Sequence, residues 1–465
     1  MKRRFKGGTG GFGVRGCAIF LVLFAAAMTR GIVSPLATSA PPTFANPKAY
    51  ATGGFPLDLA VADVNGDGRR DLATANYGEG ANSVSVLVNR GGGRFRVRRD
   101  YGVGEAPGSL EIADLNGDQK PDLAVANETA DSVSVLLNTG DGTFDRRRDY
   151  ATGHNPVSVA IGDVNGDGTR DLAIANFVVN DPQSVGVPGT VSVLLSSGDG
   201  GFQPKIDYTT GQRPHQVVIG DLTGDGRPDL ATGNRSDSVS VLTNRGNGTF
   251  GSPLNYRAGS GPRAIATADL NGDGRLDLVT ANTNVEVYTV SVLINRGNGT
   301  FRAKRDYRGG NGAFSIAIGD VNGDGSRDLA AAVVSGNGVS VLINKGNGTF
   351  LPRRDYRTGR EPWSVAIADL TGDGKRDLAT ANSVANSVSV LANTTGLCTA
   401  PNVTGMMVPA AKQALARANC RIGAIRRAYS NRVGRGRVIS ETPKAGTVLP
   451  KSGKVGIVVS RGARK

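Results

Sequence analysis

The chain has 465 residues and a formal net charge of +14, and aromatic residues make up only 5% of it. The positive charge lies at the two ends: residues 1–42 carry six basic and no acidic side chains, and residues 398–465 carry fourteen basic side chains and one acid, Glu441. Because aromatic side chains are so sparse, this basic character does not indicate a nucleic-acid-binding surface, and we expect no nucleic-acid partner.

Residues 1–42 have the pattern of an export signal followed by a linker. A basic segment, Lys2 to Arg15, precedes an apolar run from Cys17 to Met28, and small residues follow up to Ala40. The apolar run is too short to span a bilayer, and Arg30 follows it closely. We therefore expect a signal peptide, with an uncleaved signal anchor as the alternative.

A nonapeptide with regularly spaced oxygen-bearing side chains recurs along the middle of the chain. The first copy is DVNGDGRRD, Asp63 to Asp71, and six further copies begin at Asp114, Asp163, Asp221, Asp269, Asp320 and Asp369. Positions 1, 3, 5 and 9 carry Asp, Asn or Thr, and the Gly usual at position 6 allows the positive φ of a tight turn. Alternate oxygens in such a loop suit Ca²⁺, and the main-chain carbonyl of position 7 completes the expected shell.

The predicted Ca²⁺ ligands are positions 1, 3, 5, 7 and 9 of each copy, with up to seven ions bound. They are Asp63, Asn65, Asp67, Arg69, Asp71, Asp114, Asn116, Asp118, Lys120, Asp122, Asp163, Asn165, Asp167, Thr169, Asp171, Asp221, Thr223, Asp225, Arg227, Asp229, Asp269, Asn271, Asp273, Arg275, Asp277, Asp320, Asn322, Asp324, Ser326, Asp328, Asp369, Thr371, Asp373, Lys375 and Asp377.

An alternative is that the Asn-Gly and Asp-Gly pairs are only turn signals and that the flanking carboxylates are solvated. Seven copies with three aspartates each would concentrate like charge, which favours a bound cation. The motif is not an EF-hand, because position 12 lacks the bidentate Glu of that motif and reads Thr74, Val125 and Ile174 in the first three copies. Gln119 replaces the position-6 glycine in the second copy, so we expect that site to be the weakest.

The copies begin 51, 49, 58, 48, 51 and 49 residues apart, which is the period of an array or a propeller. Each unit contains four short apolar or alternating segments bounded by Gly and Asn, without helical spacing. The first strand of a unit, such as Val159 to Gly162, alternates branched with small residues, as expected for a blade buried on both faces. We predict an all-β, seven-bladed β-propeller over residues 43–397, in which the segment Thr43 to Tyr50 completes the last blade.

This middle region resembles the FG-GAP and VCBS repeat family, which includes the propeller of integrin α subunits. The resemblance rests on Asp-x-Asn-x-Asp-Gly-x-x-Asp-Leu followed by Gly-Asn-Gly-Thr-Phe, and it covers residues 43 to 396. It implies a propeller that binds Ca²⁺. It implies little about function, because the family includes adhesins, lectins and non-catalytic domains of carbohydrate-active enzymes.

In a propeller of this family the metal loops lie at one end of the ring and the variable loops at the other. The position after the loop proline, or its equivalent, differs in every unit, whereas the metal loops hardly change, and two insertions, Val178 to Gly189 and Thr283 to Thr289, belong to the variable face. The predicted binding residues for a glycan or protein ligand are His215, Arg263, Phe314 and Trp363. The alternative is that these positions drift freely and that Trp363 plugs the channel.

Residues 398–465 form a different unit. A helix is predicted over Pro409 to Asn419, with Ala410, Ala414, Leu415 and Ala418 on one face, and strands are predicted over Gly436 to Ser440 and Lys454 to Ser460. The segment resembles a PASTA domain through residues that include Pro401, Val403, Gly405, Leu415, Gly436, Val438, Pro443, Gly446, Val455 and Val459.

The PASTA resemblance implies a small α+β domain and a bacterial surface protein with affinity for peptidoglycan fragments. The fourteen basic side chains against one acid predict that residues 398–465 also bind anionic cell-wall polymers by charge, with a merely solubilising surface as the alternative. Cys398 and Cys420 bracket the predicted helix, and export favours a disulfide between them over two buried thiols.

The sequence contains few candidate catalytic residues. The chain has two histidines, His154 and His215, both in predicted loops, and no Ser-His-Asp set or Glu pair stands out. We therefore expect a non-enzymatic, monomeric, Ca²⁺-binding protein that is secreted or held at the cell surface of a bacterium. The alternative is a polysaccharide-binding lectin or a lyase-type carbohydrate-active propeller, and a pure spacer is a third possibility.

Overall fold

The computed structural model describes residues 41–145, 147–177, 187–283, 288–449 and 453–464. The expected signal segment therefore lies almost entirely outside the described residues, as do most of the two insertions on the variable face. Within the described ranges, no helix is both long and apolar enough to cross a membrane.

The described residues between 41 and 397 form seven four-stranded antiparallel sheets, or blades. The first strands are Pro56–Ala62, Pro107–Ala113, Pro156–Gly162, Pro214–Gly220, Pro262–Ala268, Ala313–Gly319 and Pro362–Ala368. The second strands are Asp71–Asn76, Asp122–Asn127, Asp171–Asn176, Asp229–Asn234, Asp277–Asn282, Asp328–Val333 and Asp377–Asn382. The third strands are Ser83–Leu87, Ser132–Leu136, Thr190–Leu194, Ser238–Leu242, Thr289–Leu293, Gly338–Leu342 and Ser387–Leu391.

The fourth strands of blades 1 to 6 are Arg99–Gly102, Arg148–Ala151, Ile206–Thr209, Leu254–Arg257, Arg305–Arg308 and Arg354–Arg357. The fourth strand of blade 7 comes from the start of the array: Lys48–Ala51 pairs with Ser387–Leu391. Each first strand contacts the first strands of the two neighbouring blades, and blade 7 contacts blade 1. The all-β propeller expected from the sequence is confirmed, and so is its closure by the N-terminal strand.

Neighbouring blades pack by placing large side chains against small ones. Every residue of the second strand Asp171–Asn176 is buried, because both faces of a blade are covered. A Cβ added at Gly162 would lie 2.9 Å from Cγ2 of Ile219 in the next blade, so a larger residue would not fit there. This contact explains the alternation of branched and small residues in the first strands.

A ring of tyrosine and phenylalanine pairs joins the blades near their outer strands. The Tyr of one fourth strand meets a Phe of the next blade edge to face, as in Tyr101 and Phe144, whose ring centroids are 5.2 Å apart. Six other pairs repeat this contact around the ring. The pair formed by Tyr356 and Phe44, at 4.9 Å, spans the junction of the chain ends.

A second ring of contacts lies at the channel wall, where the third residue of each first strand faces the next blade. Oδ2 of Asp58 accepts the N–H of Leu110 at 3.1 Å, and Oε1 of Gln216 accepts that of Ile265 at 2.9 Å. Ser109, Ser158 and Ser315 accept in the same way, from Val159, Val217 and Val365. Ala264 occupies this position in blade 5 and has no side-chain acceptor.

The C-terminal domain has one helix, Val408–Arg417, and two small sheets. Arg421–Ala428, Lys454–Ser460 and Val438–Thr442 form one sheet, in which the first two strands are parallel, and Cys398–Thr399 pairs with Val448–Leu449 in the other. Cys398 and Cys420 form a disulfide with Cα atoms 4.6 Å apart.

Two details of the C-terminal prediction were wrong. Ala410 is exposed, whereas Ala411 and Leu415 are buried and Ala414 and Ala418 pack against the same core, so the predicted helical face was wrong at its first residue alone. The strand Arg421–Ala428 was not predicted because its exposed arginines break the apolar alternation.

Candidate functional sites

The seven aspartate loops lie at one end of the ring. In every blade the first strand ends directly before position 1 of the nonapeptide, and the second strand begins at position 9. Because all seven first strands run in the same direction along the axis of the ring, all seven loops lie at the same end of the propeller. The predicted ligand positions of each loop therefore lie in the turn between the first and second strands of a blade.

Position 9 has a structural role in every copy. Asp71 is 1% exposed, its Oδ2 accepts the N–H of Val64 at 3.0 Å, and its Oδ1 accepts the N–H of Asn89 at 2.6 Å. The same two bonds recur at Asp122, Asp171, Asp229, Asp277, Asp328 and Asp377. This aspartate therefore ties the loop to the third strand, a role that the sequence alone did not reveal.

The outer positions of the loop are more accessible, and they also accept backbone amides. Oδ2 of Asp63 accepts the N–H of Gly68 at 2.7 Å, and Oδ1 of Asn65 accepts that of Asp67 at 3.0 Å. Among the described residues, no three His, Cys, Asp or Glu side chains are grouped closely enough to hold a metal ion. The loop offers three carboxylates and one amide or hydroxyl oxygen.

The chemistry of the donor set fits a hard cation. Burial, together with the negative charges of Asp67 and Asp63, raises the pKa of Asp71 to about 6, although its two backbone hydrogen bonds oppose the shift. The same combination raises the pKa of Asp328 to about 7, with Asp324 and Asp320 as the repelling groups. A divalent ion among these oxygens would relieve that repulsion, and an all-oxygen set is the type that Ca²⁺ takes.

Position 7 divides the loops into two groups. In five copies it is basic and its side chain forms an exposed ion pair with the position-5 aspartate; the pairs are Arg69–Asp67, Lys120–Asp118, Arg227–Asp225, Arg275–Asp273 and Lys375–Asp373. In the other two copies the residue is Thr169 or Ser326. Only the main-chain carbonyl of position 7 was predicted to bind Ca²⁺, and these side chains would compete with such an ion for the position-5 aspartate.

Gln119 has a φ of 65°, positive like that of the glycines at the other position-6 sites, where φ is 81° to 87°. The second copy therefore keeps the loop conformation at the cost of holding a non-glycine residue in the left-handed region, about 1 to 2 kcal/mol.

A pocket opens at the other end of the ring, on the channel axis. Its volume is about 310 Å³, and all seven residues of the variable position line it. They are Leu57, Gly108, Val157, His215, Arg263, Phe314 and Trp363. The four predicted binding residues thus come together at one pocket, although the long insertion and most of the shorter extension on this face lie outside the described residues.

The guanidinium of Arg263 packs against two aromatic rings. Its Cζ lies 4.2 Å from the ring centroid of Phe314 and 4.4 Å from that of Trp363, so the guanidinium stacks on the faces of residues from the next two blades. Burial, together with the charge of Arg235, lowers the pKa of Arg263 to about 9, and Glu128 partly opposes this shift. Nε1 of Trp363 is buried and has no acceptor among the described residues.

His215 packs edge to face against Phe177, with ring centroids 5.9 Å apart. Burial, followed by the charges of Arg263 and Arg235, lowers the pKa of His215 well below 6.5. The imidazole is therefore neutral at physiological pH and serves as a hydrogen-bonding group rather than a charge.

The sequence prediction missed a second tier of pocket residues, which come directly after the second strands. Tyr77, Glu128, Phe177 and Arg235 occupy this equivalent position in blades 1 to 4 and line the pocket. The hydroxyl of Tyr77 donates to the carboxylate of Glu128, and desolvation raises the pKa of Glu128. Aligning the repeats at this position as well would have found them, because it varies among blades just as the first tier does.

Seven blades arranged in a ring, with cation-type loops at one end and a variable pocket at the other, define a repeat β-propeller. FG-GAP-like repeats are matched at residues 63–125, 114–174, 177–232, 221–280, 281–331 and 320–380, and a PASTA domain is matched at residues 399–461. The chain belongs to the FG-GAP-like repeat family and ends in a PASTA domain.

Solved structures support the propeller fold. BBS1N in complex with ARL6DN, from a crystal soaked with mercury, is 11% identical with a TM-score of 0.52, covering 76% of this chain and 98% of that chain. The crystal of the same complex soaked with lead gives 11% identity and a TM-score of 0.52, with coverages of 75% and 96%.

An Agrocybe aegerita lectin that recognises non-reducing terminal N-acetylglucosamine is 20% identical with a TM-score of 0.46, covering 74% of this chain and 97% of that chain. The comparison with curated proteins found no match.

Proposed function

We propose that this protein is a secreted, calcium-binding module of the bacterial surface, whose propeller binds a glycan or protein ligand in the channel pocket. The observation that carries the proposal is the contrast between the two ends of the ring. Seven nearly identical loops stabilise one end, and seven different side chains surround one pocket at the other. A uniform scaffold that presents varied side chains is the usual arrangement of a binding site.

The PASTA domain supports a location at the cell wall. Its fourteen basic side chains and single acid, counted over residues 398–465, favour anionic wall polymers or peptidoglycan fragments as partners. The exposed ring of Tyr429 lies 5.7 Å from Cζ of Arg461 and 5.9 Å from that of Arg464, which places an aromatic face within this basic surface.

The pocket is tested by binding of the full chain to immobilised glycan and cell-wall fractions. The double variant Trp363→Ala/Arg263→Ala removes the stacked pair, and Arg308→Ala, an exposed position in the fourth strand of blade 5, is the matched control. We expect the double variant to lose binding at an unchanged melting temperature while the control retains it. Undiminished binding by the double variant would place the site elsewhere.

A lyase-type carbohydrate-active protein is the second candidate, because the pocket combines a neutral imidazole with cationic side chains. His215, Arg263 and the Tyr77–Glu128 pair line the same cavity. A base that removes a proton next to a carboxylate needs that carboxylate neutralised, which a guanidinium can do. Incubation with acidic polysaccharides would reveal this activity as an increase in ultraviolet absorbance from the unsaturated product, and a binding protein would give none.

A further inference from the structure

We propose that the channel pocket accommodates a single carboxylate-bearing sugar, whose carboxylate pairs with Arg235 and Arg263 and whose hydroxyl groups bond to the serine and glutamine side chains at its floor. This inference rests on the proposed binding function and specifies its ligand. Four independent features of the pocket support it: unpaired cations, an aromatic clamp, unused donors and the size of the space.

Two guanidinium groups enter the pocket with too little opposing charge. Among the described residues, neither Arg235 nor Arg263 forms a salt bridge. Glu128 is the one acidic side chain that acts on Arg263, and the charge that acts on Arg235 is that of another cation, Arg213. A partly buried cation without a partner is costly, and an anionic ligand group would remove that cost.

The aromatic clamp determines how Arg263 can be used. The ring centroids of Phe314 and Trp363 are 5.1 Å apart and both lie within 4.4 Å of Cζ of Arg263, so the two rings share one side of the guanidinium, and the edge that carries the N–H groups is left for a ligand. That edge matches the two oxygens of a carboxylate or phosphate. Glu128 opposes the charge of Arg263, and Asp58 also lines the pocket, so a second negative charge on the ligand is disfavoured and a monovalent carboxylate is favoured over a dianionic phosphate.

The floor of the pocket is lined by donors that the fold does not use. The hydroxyl oxygens of Ser158 and Ser315 accept backbone amides from the next blades, and Oε1 of Gln216 does the same. No acceptor for these two hydroxyl protons, or for the Gln216 amide protons, is found among the described residues. Several polar donors at one small cavity suit a polyhydroxylated ligand better than the apolar side chain of a peptide terminus.

The size of the pocket limits the ligand to about one ring. Its volume of about 310 Å³ is near the lower end of the range of about 300 to 1,000 Å³ that is usual for ligand sites. The open part lies beside blade 2, where Gly108 leaves space: a Cβ there would meet no atom closer than 3.8 Å. A terminal sugar of a longer chain fits this description.

The experiment uses the sole tryptophan as the reporter, since Trp363 is the single Trp of the chain and lies in the pocket. We expect glucuronate to change the fluorescence of the full chain in a saturable way and glucose to have no effect at the same concentration. Arg263→Gln should weaken glucuronate binding at least about tenfold, because it removes a charge-assisted pair. Arg308→Gln, exposed on the same blade, is the matched control and should bind as the wild type does.

A second variant, Gly108→Leu, keeps the test informative if Arg263→Gln fails to fold. Gly108→Leu keeps both arginines and fills the open side of the pocket, so it should abolish the glucuronate response while circular dichroism and the melting temperature stay unchanged. Loss of the response in both variants, with the control intact, supports the proposal.

Three outcomes would overturn the sugar assignment. Absence of any glucuronate response would exclude it, equal responses to acetate and phosphate would indicate simple anion binding, and a stronger response to a short peptide with a free C-terminus would indicate a peptide ligand. The proposed binding function has its own test, which is retention of the chain on wall or glycan fractions, so its failure can be distinguished from failure of the sugar assignment. If the chain binds such a fraction and glucuronate does not compete, the function stands and this inference falls.

Discussion

The hydroxyl of Ser364 donates a hydrogen bond of 2.9 Å to Oδ1 of Asp58, across the junction between blade 7 and blade 1. Asp58 also accepts the backbone N–H groups of Leu59 and Leu110, so one carboxylate serves three donors from three blades. Asp58 is therefore one polar link that closes the ring at the channel wall, in addition to the bond from the N–H of Phe55 to Oδ1 of Asn386 and the strand pairing farther out.

The first prediction concerns this closure. Asp58→Ala leaves two backbone amides near the channel without acceptors, and we expect a loss of about 2 to 4 kcal/mol in the free energy of unfolding. Ser158→Ala removes one acceptor at 3.3 Å and should cost about 1 kcal/mol. Urea denaturation followed by circular dichroism measures both. Equal losses in the two variants would mean that Asp58 has no special role.

The second prediction concerns calcium. Ions bound only to the folded chain stabilise it by about 2.7 kcal/mol per site at a hundredfold excess over the dissociation constant, so EDTA should lower the melting temperature sharply. An unchanged melting curve, together with native mass spectra that show no bound metal, would contradict the prediction that the loops bind calcium.

Gln119 provides a graded test of the same loops. Gln119→Gly should raise stability in Ca²⁺ by about 1 kcal/mol, because glycine adopts a positive φ freely, and Gly168→Gln should lower it by a similar amount. Thermal melts with and without Ca²⁺ separate the loop conformation from ion binding. If both substitutions change stability in the same direction, the conformational argument fails.

The third prediction concerns pH. Burial raises the pKa of Glu111 from 4.5 to about 7, an effect that its hydrogen bond from Ile161 only partly offsets. The folded chain therefore holds this proton more tightly than the unfolded chain does, and stability falls as the pH rises from about 4.5 to about 7.

Glu111→Gln keeps an oxygen for the Ile161 amide and removes the buried charge. We expect it to raise the free energy of unfolding by about 1 to 3 kcal/mol at pH 8 and to change it little at pH 4.5. Denaturant titrations at both pH values measure the difference, and Glu105→Gln, at an exposed site in the loop before the strand that carries Glu111, should show no such dependence. A pH-independent effect of Glu111→Gln would contradict the assignment.

The fourth prediction concerns the basic C-terminal domain. If it holds the protein to anionic walls by charge, sedimentation with purified cell walls should fall steeply as salt rises, because exposed charges are screened within about 8 Å at physiological ionic strength. Arg426→Gln/Arg427→Gln, on an exposed strand, should weaken pelleting at low salt. Pelleting that does not depend on salt would indicate a specific pocket, and no pelleting would exclude the role.

The sequence predicted the propeller and the position of the variable pocket because both depend on repetition. Seven aligned units show which residues change, and strand direction alone then places Arg263 and Trp363 at the end away from the aspartate loops. The sequence prediction aligned the repeats only at the position after the loop proline, so it missed Glu128 and Arg235, which occupy a second variable position directly after the second strands. It also could not show that both oxygens of Asp71 accept backbone amides, because the amides of Val64, inside the loop, and Asn89, after the third strand, reach it only in the folded chain.

The pairing of Lys48–Ala51 with Ser387–Leu391 has a consequence for how the protein forms. The N–H of Thr394 meets the carbonyl of Thr43 across 351 residues of sequence, so this contact cannot exist until nearly the whole array has been made. Contacts of such long range form slowly. A chain exported from its N-terminus would carry an unpaired strand edge until blade 7 emerges. We expect the chain to be most prone to aggregation during this period. Calcium binding to the early blades as they emerge would shorten it.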